Sequence, residues 1–422
     1  MPTRPRGNTA LKAARQHAGY SSQQAFADAL SQAAPRIGLG QMEVSVRQIR
    51  RWESDAPPWP RAEHQRLLIH VLQLPVEQLG FTPPWEADHP SAAPGVAGRQ
   101  AGHAAAGPPL PQASRSVQPP AVGAEYSAIT IAFRKMYASV QPAHLHPAVV
   151  EHTRLGIQLL TETSGVARRV VASALAEALL LAGRIEFFDL RQPDDADATF
   201  VRALQAAGEA DDSLIGSAIL VHAAFIPGWS NRRADAAERL RAARTYARRG
   251  SAPNEFLAWI DAVEAECDTR CGDANSALKM IGRAEDTLKL DGDGRSPEWF
   301  TWFSAARLAA FKGNTQLVAG RNSQARDSLN AALESLEPDE NKQRAVVLSD
   351  LAAVEVTFDR YKEACKRLHE ALDELATTWY ATGMERVRAV RETLQPWSNT
   401  DEVEAIDDRL YGWRTMFSAL QH

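Results

Sequence analysis

Beyond Tyr126, apolar residues recur at intervals of three and four positions, Ala and Leu are abundant, and the alternation typical of β-strands is absent. This period predicts an all-α structure for residues 126–422. Within it, an Ala followed after four positions by a large apolar residue and after three more by a second Ala occurs five times. The copies are Ala196/Phe200/Ala203, Ala236/Leu240/Ala243, Ala277/Ile281/Ala284, Ala325/Leu329/Ala332 and Ala364/Leu368/Ala371. Their first alanines are 40, 41, 48 and 39 residues apart, which indicates a repeat of helix pairs.

Small residues also recur twelve positions upstream of these first alanines, at Ala224, Ala265, Gly313 and Ala352. A small side chain there lets the two helices of a hairpin approach closely. The first copy has Arg184 at this position, with Ala182 and Gly183 beside it. The pattern resembles the tetratricopeptide repeat, although these copies are longer than the roughly 34 residues usual in that family. The resemblance implies an α-α superhelical, tetratricopeptide-like solenoid.

The start of this repeat region contains three histidines close together in sequence. Helices predicted at 147–163 and 165–190 begin the stack, which places His144 and His146 in a loop before it. No acidic residue is spaced to join His144, His146 and His152 as a metal ligand. We expect neither a metal site nor a cofactor.

Residues 8–81 have a different pattern of short helices separated by Gly19, Pro35, the Pro57/Pro58 pair and Pro75. Ser21 with Gln24 fits a capping box, and Ser45 suits the N-cap of a third helix. The helices are predicted at Asn8–Ala18, Ser22–Ala34, Ser45–Glu53, Arg61–Gln73 and Val76–Leu79.

Residues 82–124 contain nine prolines, five glycines and eleven alanines without an amphipathic period. This composition predicts a flexible linker between the two helical domains, 8–81 and 126–422.

Several features favour a cytoplasmic protein without a membrane segment. The N-terminus has basic residues but no apolar run after them, unlike a secretory signal. The longest apolar stretch, Ser213–Ser230, is interrupted by Pro227 and predicts a buried helix rather than a membrane span. The three cysteines, Cys267, Cys271 and Cys365, cannot all pair within the chain, which suits a reducing compartment.

Charge is divided unevenly along the chain, whose formal net charge is -5. Residues 1–80 hold ten Lys/Arg and six Asp/Glu, so the other residues hold 37 of the 47 basic groups and 46 of the 52 acidic groups. A basic N-terminal domain on an acidic body favours contact with phosphates by the first domain only.

The third predicted helix, residues 45–53, combines an apolar face with a basic one. Ile49 and Trp52 are three positions apart and can face the core. The outward positions are then Val46, Arg47, Gln48, Arg50 and Arg51. Arginine can donate two hydrogen bonds to guanine in the major groove, and glutamine can pair with adenine. A solvated charged face on an ordinary small domain is the alternative interpretation.

The order of these features resembles the Cro/C1-type (XRE family) helix-turn-helix. The matching residues are Gln23, Ala27, Ile49 and Glu53. The resemblance implies a lambda-repressor-like fold, with double-stranded DNA contacted by residues of the 45–53 recognition helix and by Gln23 near the DNA backbone or an adjacent base. The implied contact residues are Gln23, Ser45, Val46, Arg47, Gln48, Arg50 and Arg51. Glu53 and Trp52 are expected to be structural.

One segment departs from the family pattern. About ten residues, Pro35–Val44, stand where the family has a shorter turn. They could lengthen the second helix or form a small lobe that touches DNA through Arg36.

Chains of this layout resemble bacterial transcription regulators that join a Cro/C1-type domain to a tetratricopeptide-like sensor. The resemblance implies a homodimer with a peptide or small-molecule effector. A protein–protein scaffold that uses the helix-turn-helix as a docking module is the alternative. No phosphate-binding, zinc-hydrolase or nucleophile-elbow motif occurs, so we do not expect an enzyme.

An aromatic group near residue 300 has two interpretations. Trp299, Trp302 and Phe303, with Phe300 and Phe311, could line the concave side of the solenoid and bind a ligand. They could equally pack between adjacent repeats, because aromatic side chains bury a large area.

Overall fold

Every regular element of the described residues is helical. The computed structural model describes residues 7–81 other than 38, 56, 59, 73 and 75, residue 110, and residues 117–290 and 294–420. The chain divides into two compact units, 1–102 and 103–422. Most of the predicted linker, 82–109 and 111–116, lies outside the described residues.

Within the described residues 7–81, the first unit contains four short α-helices and two 3-10 turns. The α-helices are α1 (Thr9–His17), α2 (Gln23–Ala33), α3 (Val46–Trp52) and α4 (Ala62–Leu72). The 3-10 turns are Pro35–Ile37 and Val76–Leu79. These bounds lie within one or two residues of the sequence prediction. Each prediction depended on a cap or a proline, which are local signals.

The core of the first unit is formed by apolar side chains from every helix, including Leu11, Phe26, Ile49 and Leu68. One predicted cap was wrong by one residue. The N-cap of α2 is Ser22, not Ser21, and its hydroxyl accepts a hydrogen bond of 3.0 Å from the backbone N–H of Ala25. Ser45 caps α3 as predicted, accepting from the N–H of Gln48 at 3.3 Å.

The second unit contains the remaining helices. They are α5 (Val122–Met136), α6 (Pro142–Glu162), α7 (Gly165–Arg184), α8 (Pro193–Ala210), α9 (Ser213–Trp229), α10 (Arg233–Arg249), α11 (Asn254–Arg270), α12 (Ala274–Leu288), α13 (Ala305–Val318), α14 (Asn322–Ser335), α15 (Asn341–Thr357), α16 (Tyr361–Thr377), α17 (Ala381–Thr393) and α18 (Asp401–Leu420). A π-helix, Ile185–Asp189, follows α7, and a 3-10 turn, Gln395–Trp397, follows α17.

Helices α7–α16 form five successive hairpins, which confirms the predicted solenoid architecture. The two helices of each hairpin pack closely, and the first helices α7, α9, α11, α13 and α15 also contact one another in series. All five copies of the repeated alanine pattern lie on the second helices, where every one of these side chains is at most 2% exposed. The alanines therefore form the seam against which each first helix packs.

Close approach within the hairpins requires glycine at two positions. A Cβ at Gly313 would lie 2.5 Å from Cγ of Leu329, and one at Gly183 would lie 2.6 Å from Cε1 of Phe200. In the first hairpin the small residue is thus Gly183, one position earlier than in the other copies. The π-helix Ile185–Asp189 between the two helices widens one turn and accommodates the additional residue. Arg184 is consequently displaced from the seam.

The solenoid begins earlier than the sequence predicts. Helix α5 starts at Val122, inside the segment predicted as linker, and α6 starts at Pro142, so His144 and His146 are in its first turns rather than in a loop. The apolar stretch from Ser213 is the buried helix α9, as predicted. Among the described residues, no helix has the length and apolarity needed to cross a bilayer.

Candidate functional site

Helix α3 presents a basic face outward because its apolar face is anchored in the first unit's core. Ile49 is 0% and Trp52 1% exposed. Arg47, Arg50 and Arg51 lie on the exposed side. Within the described part of this unit, the guanidinium groups of Arg47 and Arg51 form no ion pair or hydrogen bond. The helix therefore offers two uncompensated, bidentate hydrogen-bond donors to a partner in solution.

The other predicted contact residues differ in exposure. Ser45 is exposed and Gln48 is half-buried. Val46 was expected on the outer surface, but it is half-buried and packs against the core. Its position at the first turn of α3 directs it toward α2, since these two helices are in contact.

A chain of polar contacts holds the start of α2 against the end of α3. Arg15 and Glu53 form a buried ion pair of 2.8 Å, and the side-chain amide of Gln23 donates to the other Glu53 oxygen at 2.6 Å. Arg50 Nε donates to Oε1 of Gln23 at 3.3 Å. Both the nitrogen and the oxygen of the Gln23 side-chain amide thus have hydrogen-bond partners within the unit. Glu53 has the structural position expected for it.

Asn8 fixes the C-terminal end of α3, a role that the sequence did not reveal. Its side-chain amide donates to the carbonyls of Trp52 at 3.2 Å and Leu79 at 2.8 Å, while its Oδ1 accepts from the N–H of Leu11. One side chain therefore joins α1, α3 and the last 3-10 turn. The position of Asn8 just before α1 is typical of an N-cap. Its partners Trp52 and Leu79, however, are distant in sequence and are visible only in the structure.

The additional segment Pro35–Val44 does not extend α2. It forms the short 3-10 turn and then packs on the core through Ile37, Leu39, Met42 and Val44. The hydroxyl of Ser31 accepts from the N–H of Val44 at 2.9 Å, which fixes the entry into α3. Arg36 is exposed.

The second unit contains a cavity of about 490 Å³. Its wall is formed mainly by the first helices of the hairpins, together with α5 and α17, so it is the concave interior of the solenoid. Aromatic rings form much of the wall: Tyr137, Phe188, Phe225, Trp229, Trp259, Trp302, Phe311 and Tyr380. This size and lining are typical of small-molecule sites.

Buried charges lie among these rings. Arg386 of α17 bonds to Asp350 of α15 at 2.7 Å, to Asn314 of α13 at 2.7 Å and to Glu266 of α11 at 3.2 Å. Burial raises the pKa of Asp350, and Arg386 opposes that shift. For Glu266, burial is outweighed by Arg270 and Arg386, which hold its pKa below the usual value. One arginine thus joins three helices of the cavity wall.

The two ends of the solenoid meet at Asp189, in the π-helix. Its carboxylate, in a residue 1% exposed, pairs with Lys342 at 2.8 Å and accepts from the Tyr137 hydroxyl at 2.7 Å. Trp379 donates from its indole to the Asp189 carbonyl at 3.2 Å, and Thr382 donates to the Phe188 carbonyl at 3.1 Å. These contacts join the last hairpin region to the first and close one side of the cavity, which is partly open to solvent.

The predicted aromatic ligand residues are only partly brought together at this cavity. Trp302 lines it. Trp299 stacks on Trp302 with ring centroids 5.6 Å apart and lines a smaller neighbouring pocket. Phe303 is 5% exposed and packs in the hydrophobic core. Most of the wall was missed, because its residues come from helices separated by about 40 positions in sequence.

Two of the three histidines near the start of the solenoid have separate partners, and the third, His144, is exposed. His146 contacts Glu186 at 2.9 Å, and buried His152 bonds to the Thr130 hydroxyl at 2.7 Å. The described residues contain no group of three His, Cys, Asp or Glu side chains placed to hold a metal ion.

Comparison with known proteins adds no assignment. No protein-family model matches the chain, and no curated protein matches it significantly.

Proposed function

We propose that this protein is a sequence-specific DNA-binding transcription regulator of the Cro/C1 type, with α3 as the recognition helix in the major groove. The observation that supports it most is the exposed basic face of α3. Arg47 and Arg51 have no partner among the described residues of this unit, while Ile49 and Trp52 fix the opposite face in the core. Exposed arginines on a rigid helix provide the donors that base edges and phosphates accept.

In this proposal the second unit is the sensor and dimerisation part of a homodimer. A homodimer would read two half-sites related by two-fold symmetry. The cavity provides a place for an effector, either a peptide or a small molecule. A cytoplasmic location is part of the proposal and is supported by three free cysteines, Cys267, Cys271 and Cys365.

The test begins with operator identification by genomic footprinting of the whole protein, followed by binding measurements on the selected DNA. Arg47→Ala and Arg51→Ala should each weaken operator binding by about 1 to 3 kcal/mol, or roughly 5- to 150-fold. Lys12→Ala is the matched control, because Lys12 is an exposed cation of α1. It should affect operator and unrelated DNA equally and weakly.

A salt titration provides the second measurement. Binding should weaken by about 0.9 log unit per log unit of salt for each phosphate that the protein neutralises. Unchanged operator affinity in both arginine variants would refute the contact assignment. Absent or salt-independent DNA binding would favour the scaffold alternative, in which the first unit docks onto a protein.

A further inference from the structure

Among the described cations of the cavity wall that are not exposed, one lacks a carboxylate partner. The others each have one: Arg134 with Glu177, Arg307 with Glu340, Lys342 with Asp189, and Arg386 with Asp350. Arg184, at the end of α7, lines the same cavity. Within residues 117–290 and 294–420 it forms neither an ion pair nor a hydrogen bond.

The surroundings of Arg184 are aromatic rather than acidic. Its guanidinium carbon lies 4.6 Å from the ring centroid of Trp302 and 5.2 Å from that of Tyr137. Its Nε is fully buried without a hydrogen-bond partner. Burial lowers the pKa of Arg184, but a guanidinium remains protonated at neutral pH. An enclosed, unpaired charge is unfavourable unless something compensates it.

Among the described residues, three further donors of the wall lack acceptors: Nε of Arg386, whose terminal nitrogens are paired, and two indole nitrogens. The indole nitrogens of Trp302 and Trp229 are buried without hydrogen-bond partners, and Trp302 is only 8% exposed. Both residues line the cavity. Acceptor oxygens beside Arg184 and Trp302, whose guanidinium carbon and ring centroid lie 4.6 Å apart, would satisfy both groups, while the surrounding rings favour a flat or apolar body.

We propose that the cavity binds a small molecule with a carboxylate on an aromatic or bulky apolar body, and that Arg184 pairs with this carboxylate. A guanidinium and a carboxylate match in geometry through two parallel hydrogen bonds. The volume of about 490 Å³ lies in the range of small-molecule sites. Ligand binding itself is independent of the DNA-binding proposal, and only the role of this ligand as an effector rests on it.

The test is isothermal titration calorimetry on the whole chain with benzoate, phenylacetate and naphthoate, each compared with its neutral primary amide. At least one acid should bind at least ten times more tightly than its amide. Arg184→Met should reduce the affinity for that acid at least tenfold, to the level of the amide, while leaving the amide unaffected. Arg184→Lys keeps the charge but lacks the planar guanidinium group. Its affinity for the acid should therefore lie between those of the wild type and Arg184→Met.

Lys135→Met is the matched control, because it removes an exposed cation that also belongs to the cavity lining. It should change acid binding less than twofold, and an equal loss in both variants would contradict a specific role of Arg184. Thermal unfolding without ligand separates binding from structure. If Arg184 serves a ligand, Arg184→Met should unfold at the same temperature as the wild type or higher.

Three results would overturn the proposal. The first is the absence of binding by all three acids, and the second is equal affinity for acids and amides. The third is a lower unfolding temperature of Arg184→Met with unchanged acid affinity, which would make Arg184 structural. Binding of an acetylated and amidated Leu-Leu-Phe peptide, with no binding of the acids, would instead identify a peptide groove. Because the readout requires no DNA, failure here leaves the regulator proposal standing, and the reverse also holds.

Discussion

Both units have unpaired arginines at their described surfaces, but the second unit also has one in the wall of a cavity. In the first unit, Arg47 and Arg51 are exposed on α3, while the buried Arg15 is neutralised by Glu53. In the second unit Arg184, which forms no ion pair or hydrogen bond within residues 117–290 and 294–420, lines the cavity. An outward basic face is accessible to a large polyanion, whereas a guanidinium in a cavity wall can meet only an anion that enters the cavity.

Ion pairs also have different structural roles in the two units. In the first, the contacts of Glu53 with Arg15 and Gln23 hold short helices at fixed angles. In the second, ion pairs cross the concave interior and join helices far apart in sequence, as between Arg386 and Glu266. The interior of the solenoid should therefore depend on these pairs, because they link helices across the cavity.

The largest effect should come from removing the arginine that joins three first helices. Arg386→Met leaves the buried carboxylates of Glu266 and Asp350 without their common cation. Both residues are at most 4% exposed. Loss of one partner of a buried pair costs about 3 to 5 kcal/mol, which denaturant unfolding would measure as a lower free energy of unfolding.

Arg388→Met is the matched control, because Arg388 is exposed on the same helix. Its free energy of unfolding should change by less than about 0.5 kcal/mol. Equal stability of the two variants would show that the interior charges contribute no more than a surface charge, and the contrast between the units would then disappear.

The exposed arginines of α3 could be predicted from the sequence, whereas the ion pairs inside the solenoid could not. The outward face of α3 followed from the spacing of Ile49 and Trp52 within seven helical residues. The interior network did not, because Lys342 and Asp189 are 153 positions apart and no local pattern joins them. First helices such as α9 and α11 are buried on nearly all sides, so they also lack the amphipathic period that would orient their polar residues.

The unusual position of Arg184 was visible in the sequence, but its environment was not. The sequence indicated it as the exception to the small residue expected in each first helix. The π-helix after α7 explains the exception, since Gly183 takes the packing position and Arg184 turns toward the cavity. A local irregularity was therefore visible, but its consequence required the neighbouring helices.

Acid should affect the second unit through His152, which is buried between Tyr126 and Phe133. Burial lowers its pKa from 6.5 to about 4. As the pH falls, the unfolded chain takes up a proton near pH 6.5 that the folded state accepts only near pH 4. The contribution of neutral His152 to stability is thus fully present above pH 6.5 and is lost as the pH falls toward 4. Between pH 7 and pH 5 the free energy of unfolding should fall by about 2 kcal/mol.

His152→Gln should flatten the dependence of the unfolding free energy on pH in this range, whatever its effect at neutral pH. His144→Gln, at an exposed position of the same helix, should retain the wild-type dependence. The first unit has His64 with a lowered pKa, but this ring is only half-buried. An identical acid dependence in wild type and His152→Gln would assign the sensitivity to other groups.

The smallest effects should come from two glycines that test the packing of the hairpins. Gly183→Ala forces a methyl group against Phe200, so overpacking should outweigh the better helix propensity of alanine by about 1 to 2 kcal/mol. At Gly282 in α12 nothing lies within 4 Å of an added Cβ, so Gly282→Ala should raise stability by about 0.5 to 1 kcal/mol. Thermal unfolding should therefore shift in opposite directions for the same substitution. A gain in both variants would mean that the first hairpin can relax around the π-helix, and that the position of Arg184 is not fixed by this contact.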